Sequence, residues 1–157
     1  MAPASSSSSA TEPTVEGLLA ESFAVLAAEL PPAWTRFCAA LDGRTVEIRV
    51  DGERFTVGFA AATATIAGGA AASSPVDALL ETTRRTIEDV LDARLSLRDA
   101  VMGDALRVVA PLAMMSRLHT GILAYVHGGV RCPSFPALLK RFRALPARPD
   151  TETRSAR

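Results

Sequence analysis

The sequence predicts one α/β (α+β) domain built around an antiparallel-rich sheet, and three observations predict it. Apolar residues alternate with period two on both sides of Asp51-Gly52. Helical spacing precedes and follows that stretch. A chain of 157 residues, 48% of them apolar, is long enough for one hydrophobic core. The expected layout is a disordered tail over 1–13, one domain over 14–145 and a second tail over 146–157.

The elements follow in order. Residues 1–13 are mostly Ser, Ala and Pro and carry no apolar period, which favours disorder. Thr14 offers an N-cap to a helix in which Val15, Leu18, Leu19, Phe23, Leu26 and Leu30 share a broad face, and Pro31-Pro32 stops it. "PAWTRFCAALDG" has Pro at its start and Gly at its end, the usual helix asymmetry. Trp34, Phe37, Cys38 and Leu41 share its apolar face.

In "RTVEIRVDGERFTVGF" the period becomes two. Val46, Ile48 and Val50 alternate with Glu47 and Arg49. Phe55, Val57 and Phe59 alternate with Thr56 and Gly58. Asp51-Gly52 supplies the positive φ angles of a tight hairpin, so strands are expected over 45–50 and 54–59. "ATATIAGG" reads as a third strand. "AAASSPVDALLETT" has two readings. A helix starts at Ser74-Pro75 and runs through Leu95, or "VDALLET" is a fourth strand and a threonine caps a shorter helix. N-cap residues belong at helix starts, which favours the strand.

Ile87, Val90 and Leu91 make a helical stripe. Ser96 followed by Asp99 has capping-box spacing, and Gly103 stops the short helix between them. "ALRVVA" is a last strand. Pro111 opens a long helix and Pro133 interrupts. Phe135, Leu138, Leu139 and Phe142 give a short amphipathic helix.

Composition excludes several function classes. Net charge is zero and the isoelectric point is near 6.7, so no global field draws the chain to nucleic acid. The run "PLAMMSRLHTGILAYVHGGV" contains Arg117, His119 and His127. An interior arginine is costly in a bilayer, so a buried helix is expected instead. "MAPASSSSSATEPT" has neither a basic nor an apolar signal region, so a cytoplasmic location is expected. Cys38 and Cys132 form no C-x-x-C pair and read as reduced, buried thiols.

Chemistry-bearing patterns are weak. His119 and His127 are eight apart, not the four of a helical metal pair, and no metal site is expected. Ser116 and His119 lack a nucleophile elbow and an acidic orienter. No catalytic residue and no cofactor is expected, and the chain is not read as an enzyme. Met102, Met114 and Met115 are either an adaptable pocket wall or ordinary core filling. Segment 134–143, with Lys140, Arg141 and Arg143, is a transient membrane or enzyme contact, a pocket lid, or a solvated helix packed on the core.

"TVEIRVDGERFTVGF" followed by "ETTRRTIEDVLDARLSLRDAVMGDALRV" resembles the sterol carrier protein type-2 family. Arg94-Leu95-Ser96 stands at that family's helix corner, with Ala93 where glycine is common. Ala100 and Met102-Gly103 stand in its short helix, and Leu106-Arg107-Val108 in its closing strand. The resemblance covers about residues 33–118. It departs from the pattern in its fourth strand, in Ala110-Pro111 after the closing strand, in the unusually long helix that follows that strand, and in an added N-terminal helix.

What the resemblance implies is a curved, mostly antiparallel sheet of about five strands, covered on one face by helices, with an apolar cavity between. It also implies non-catalytic binding or transfer of an apolar lipid: a sterol, a fatty acyl chain or an isoprenoid. The expected ligand wall is Trp34, Phe37, Phe59, Ile87, Leu91, Met102, Met115, Leu118 and Ile122. The rival is a ligand-free accessory module for a lipid- or isoprenoid-handling enzyme, for which an exposed apolar patch on the Val15–Leu30 helix would speak.

Overall fold

The computed structural model describes residues 12–69 and 75–146. Most of the two expected tails lies outside the described residues. The elements run α1 (Val15–Glu29), α2 (Pro31–Leu41), β1 (Thr45–Val50), β2 (Glu53–Ala60), β3 (Thr63–Gly68), β4 (Ala78–Thr82), α3 (Arg84–Leu91), α4 (Leu97–Met102), β5 (Leu106–Val109), α5 (Leu112–Gly129) and α6 (Phe135–Arg143).

The five strands form one sheet in the order β3-β2-β1-β4-β5. Three pairings are antiparallel and β1 runs parallel to β4. The hairpin turns at Asp51 (φ 47) and Gly52 (φ 79), both left-handed, so Val46 faces Val57 and Ile48 faces Phe55. Their side chains share one face of the pleat with Val50 and Phe59. The helices gather on that face.

Glu47 and Arg49 project from the other face. The Glu47 carboxylate accepts from Arg49 Nε at 2.7 Å and pairs with Arg54 Nε at 2.9 Å. Burial works against its charge, but these two guanidiniums outweigh it and hold its pKa below the ordinary value.

The ambiguous fourth segment is a strand, and Thr83 is the cap. Its hydroxyl accepts from Thr86 N at 3.2 Å. Partnering decides the matter. Asp77 N donates to Thr45 O at 2.8 Å and Asp77 Oδ2 accepts from Thr45 N at 2.8 Å, which starts β4 in register on β1. Thr82 Oγ1 donates to Ala105 O at 2.9 Å and ties the far end to the approach of β5.

Helix starts follow the caps read from sequence. Thr14 Oγ1 accepts from Gly17 N at 3.0 Å. Ser96 Oγ accepts from Asp99 N at 3.0 Å and donates to Asp99 Oδ2 at 2.7 Å. Glu53 at the start of β2 accepts from Val15 N and Glu16 N, anchoring α1 to the sheet. Ala93, at the corner, has φ 58, a left-handed conformation for which glycine carries no Cβ penalty.

Helices α2 and α5 approach closely. A Cβ on Gly128 would lie 2.7 Å from Ala33 Cβ and 2.7 Å from Leu26 Cδ1. Only a residue without a side chain lets the backbones meet there. Cys38 and Cys132 are free and buried, and burial pushes both thiols up. Among the described residues no helix is long and apolar enough to cross a membrane.

Candidate functional site

The inner face of the sheet and the helices over it do not close completely. A cavity of about 230 Å³ remains between them. It is larger than the roughly 150 Å³ engineered void that stays dry and binds benzene. It is smaller than the about 300–1,000 Å³ typical of pockets for drug-sized ligands.

Each wall comes from a different element. The floor is Val46, Ile48 and Val50 of β1 with Phe55, Val57 and Phe59 of β2. Helix α1 contributes Leu18, Leu19, Ser22 and Phe23, and α5 contributes Leu118, Ile122, Tyr125 and Val126. Helix α3 contributes Ile87, Val90 and Leu91, and α6 contributes Leu138, Leu139 and Phe142. Four polar residues enter the wall: Ser22, Thr82, Thr86 and Tyr125. Among the described residues, no charged one does.

Aromatic rings close the α1–α2–α5 side. Phe37 lies 5.3 Å from Phe23, 5.2 Å from Phe59 and 5.4 Å from Tyr125, centroid to centroid. These spacings suit edge and tilted ring contacts. Ser22 Oγ lies 2.7 Å from Tyr125 Oη and donates to Leu19 O at 2.7 Å. Burial pushes the Tyr125 phenol up to about 12.

Of the nine side chains expected on the wall, Phe37, Phe59, Ile87, Leu91, Leu118 and Ile122 line the cavity. Trp34, Met102 and Met115 do not. Trp34 stands behind Phe37 and Phe23, with ring centroids 5.8 and 5.6 Å away, and its indole N–H donates to Ala62 O at 3.1 Å. Met102 is 77% exposed. Helix α4 spans six residues and buries only Ala100, so its last residue points to solvent.

Met115 is 39% exposed because the inward phase of α5 runs through Met114, Leu118 and Gly121, one position away. The tight turns of 92–111 present Leu106 to the cavity rather than Met102.

Segment 134–143 is also placed. The apolar stripe of α6 faces inward. Arg141 pairs with Glu21 at 2.6 Å, and Arg143 pairs with Asp92 at 2.5 Å. The face expected to meet a membrane or enzyme is turned to the core, and two of its cations are committed to partners. Helix α1 likewise buries Val15, Leu18, Phe23 and Leu26 and offers no broad apolar patch. Sequence reasoning missed Ser22 and Tyr125. Each is an isolated polar residue within an apolar helical stripe, and that interruption was the available signal.

No family model matches the sequence, and no curated protein matches it. Solved structures do. One, a ubiquinone synthesis protein described as UbiJ-SCP2, is 16% identical over 72% of this chain and 96% of that chain, with a TM-score of 0.52. Another, a crystal structure of sterol carrier protein 2, is 16% identical over 71% of this chain and 95% of that chain, with a TM-score of 0.50. The chain therefore has the sterol carrier protein 2 fold.

Proposed function

We propose that this chain is a non-catalytic, cytoplasmic lipid-binding protein that takes up one apolar molecule between its sheet and helices. The observation that carries the reading is the cavity itself, about 230 Å³ with a mostly apolar wall and no charged side chain among the described residues. Native interiors pack without voids of this size, so an unfilled apolar space in an otherwise well-packed fold is a place for a ligand. Uptake is passive. Each methylene that leaves water for the wall contributes about 0.8 kcal/mol, offset by the freedom lost on binding. Phe37, Phe59, Ile87, Leu91, Leu118 and Ile122 contact the ligand.

Ile122→Trp tests this. Overpacking a closed core costs about 1–3 kcal/mol. A ring placed in empty volume spares stability and blocks the ligand. Urea unfolding is expected to stay within about 1 kcal/mol of the wild type, while uptake of a fluorescent lipid falls. Stability lost with uptake unchanged would overturn the reading.

A second reading, an accessory module for a lipid-handling enzyme, has one observation in its favour. Val101, Met102, Val109 and Leu112 are exposed on α4, the edge strand β5 and the start of α5, with Leu112 at 84%. Exposed apolar groups of this kind mark contact surfaces when they form a patch. That reading expects native mass spectrometry of protein from its own cells to show a protein complex without lipid. It further expects Met102→Lys with Leu112→Lys to dissolve the complex.

A further inference from the structure

The Ser22–Tyr125 pair gives the cavity a chemical preference beyond greasiness. A serine hydroxyl has one proton to donate. Ser22 Oγ lies 2.7 Å from Leu19 O, its acceptor, and 2.7 Å from Tyr125 Oη. With the serine proton on Leu19 O, the phenol donates to Ser22 Oγ, and both protons are satisfied. The reverse order leaves a phenol proton stranded among hydrocarbon, which is the costly arrangement. Tyr125 lines the cavity, and its phenol oxygen is then left with lone pairs and no proton to offer.

Thr82, on another wall, is in the same condition, because its hydroxyl is donated to Ala105 O at 2.9 Å. Thr86 is paired with Thr83 at 3.0 Å. Among the described residues, no Lys, Arg or His lines the space.

Resting on the lipid-cavity reading above, we propose that the cavity selects a neutral lipid carrying a hydroxyl group, whose proton the phenol oxygen of Tyr125 accepts. An ether or ester of the same chain presents an acceptor to an acceptor. An ionised fatty acid does worse, because its charge enters a cavity without a cation. Tyr125 is the specificity residue, and Ser22 is a positioning residue that sets the direction of the phenol proton.

The test is displacement of Nile red from the full chain by 1-decanol, decyl methyl ether and decanoate at pH 8, in the wild type, Ser22→Ala and Tyr125→Phe. In the wild type the alcohol is expected to bind about three- to tenfold tighter than the ether, the worth of one net hydrogen bond. Decanoate is expected to bind at least about tenfold more weakly than the alcohol.

Ser22→Ala releases the phenol proton, so the ether gains and the alcohol-to-ether ratio falls to about one. A purely structural hydroxyl pair would not move that ratio. Tyr125→Phe also brings the ratio down, through loss of alcohol affinity. Should Tyr125→Phe fail to fold, Ser22→Ala alone decides. An alcohol-to-ether ratio of one in the wild type, a ratio unchanged in Ser22→Ala, or decanoate equal to decanol overturns the anchor and leaves the lipid cavity standing. If neither Nile red nor any of the three chains binds, the cavity reading falls and takes the anchor with it.

Discussion

The two sides of the cavity are built by different forces. On the α1–α2–α5 side the wall is a jigsaw. Phe23, Phe37, Phe59 and Tyr125 interlock, Leu26 is fully buried, and Gly128 lets α5 settle against Ala33. On the other side, helix α3 buries no residue of its own. Ile87, Val90 and Leu91 face the cavity, and the helix is tied down at its edges by ions. Arg84 Nε meets Asp51 at 3.0 Å, and its Nη1 donates to Leu145 O at 2.8 Å. Arg143 reaches from α6 to Asp92 at 2.5 Å and Glu88 at 3.9 Å.

Packing is short-ranged and unforgiving, whereas exposed ion pairs contribute little and are screened by salt. If the cavity takes up a ligand as proposed, a space with one rigid wall and one lightly held wall opens at the second, which makes α3 and α6 the expected entrance.

Matched truncations break or confirm that contrast most directly. Phe37→Ala is expected to cost about 3–5 kcal/mol in urea unfolding, the usual cost of removing a buried aromatic ring. Leu91→Ala, on the half-buried α3 stripe, is expected to cost roughly 1 kcal/mol. Equal costs would mean that the two walls are the same. Next in size is Gly128→Ala. The new methyl meets Ala33 Cβ, which cannot rotate away, and the overpacking of about 1–3 kcal/mol outweighs the ~1 kcal/mol gained in helix propensity. A net loss of about 1 kcal/mol is expected, and a stabilised variant would show that α5 can slide.

The outer sheet face sharpens the comparison from another direction. The folded pKa of Glu47 lies below its ordinary value of 4.5. Its contribution is therefore fully present above that pH and is lost as pH falls through the lower, folded pKa. Thermal unfolding of the wild type is expected to fall more steeply than that of Glu47→Gln below pH 4.5, with the two running parallel above it. Identical acid profiles would show that Arg49 and Arg54 merely cover the carboxylate.

The smallest effect on stability belongs to Arg143→Ala, within about 1 kcal/mol, because the pair is partly exposed. Its kinetic effect is the informative one. Bound Nile red is expected to leave faster from this variant, and wild-type release is expected to quicken with added salt toward the variant's rate. Release insensitive to both would place the entrance elsewhere.

Much of the fold was legible because its signals are local. The caps Thr14, Thr83 and Ser96, the turn at Asp51-Gly52 and the change from helical to period-two spacing each act within a few residues. They appear where the sequence puts them. The fourth strand was readable only as a choice, since "VDALLET" has helix-forming composition. The partners Thr45 and Ala105, dozens of residues away in one case, settle it.

Six of the nine expected wall residues lie on long elements whose inward phase is set by many neighbours. The failures lie where phase is poorly constrained. Met102 ends a helix too short to present a stripe, Met115 is one position off the inward phase, and Trp34 is apolar enough for the wall but is held behind it by its N–H.

The sequence by itself determined the order and type of the elements and which face of each is apolar, because periodicity and capping chemistry are written in neighbouring residues. Only the tertiary structure decided that these faces stop short of filling the space between them. It also brought Ser22 and Tyr125, 103 positions apart, to one hydrogen bond in the wall of that space. A void and a polar contact in its wall depend on how whole elements settle against one another, on Gly128 meeting Ala33 and on Arg143 reaching Asp92, and no local pattern encodes those distances.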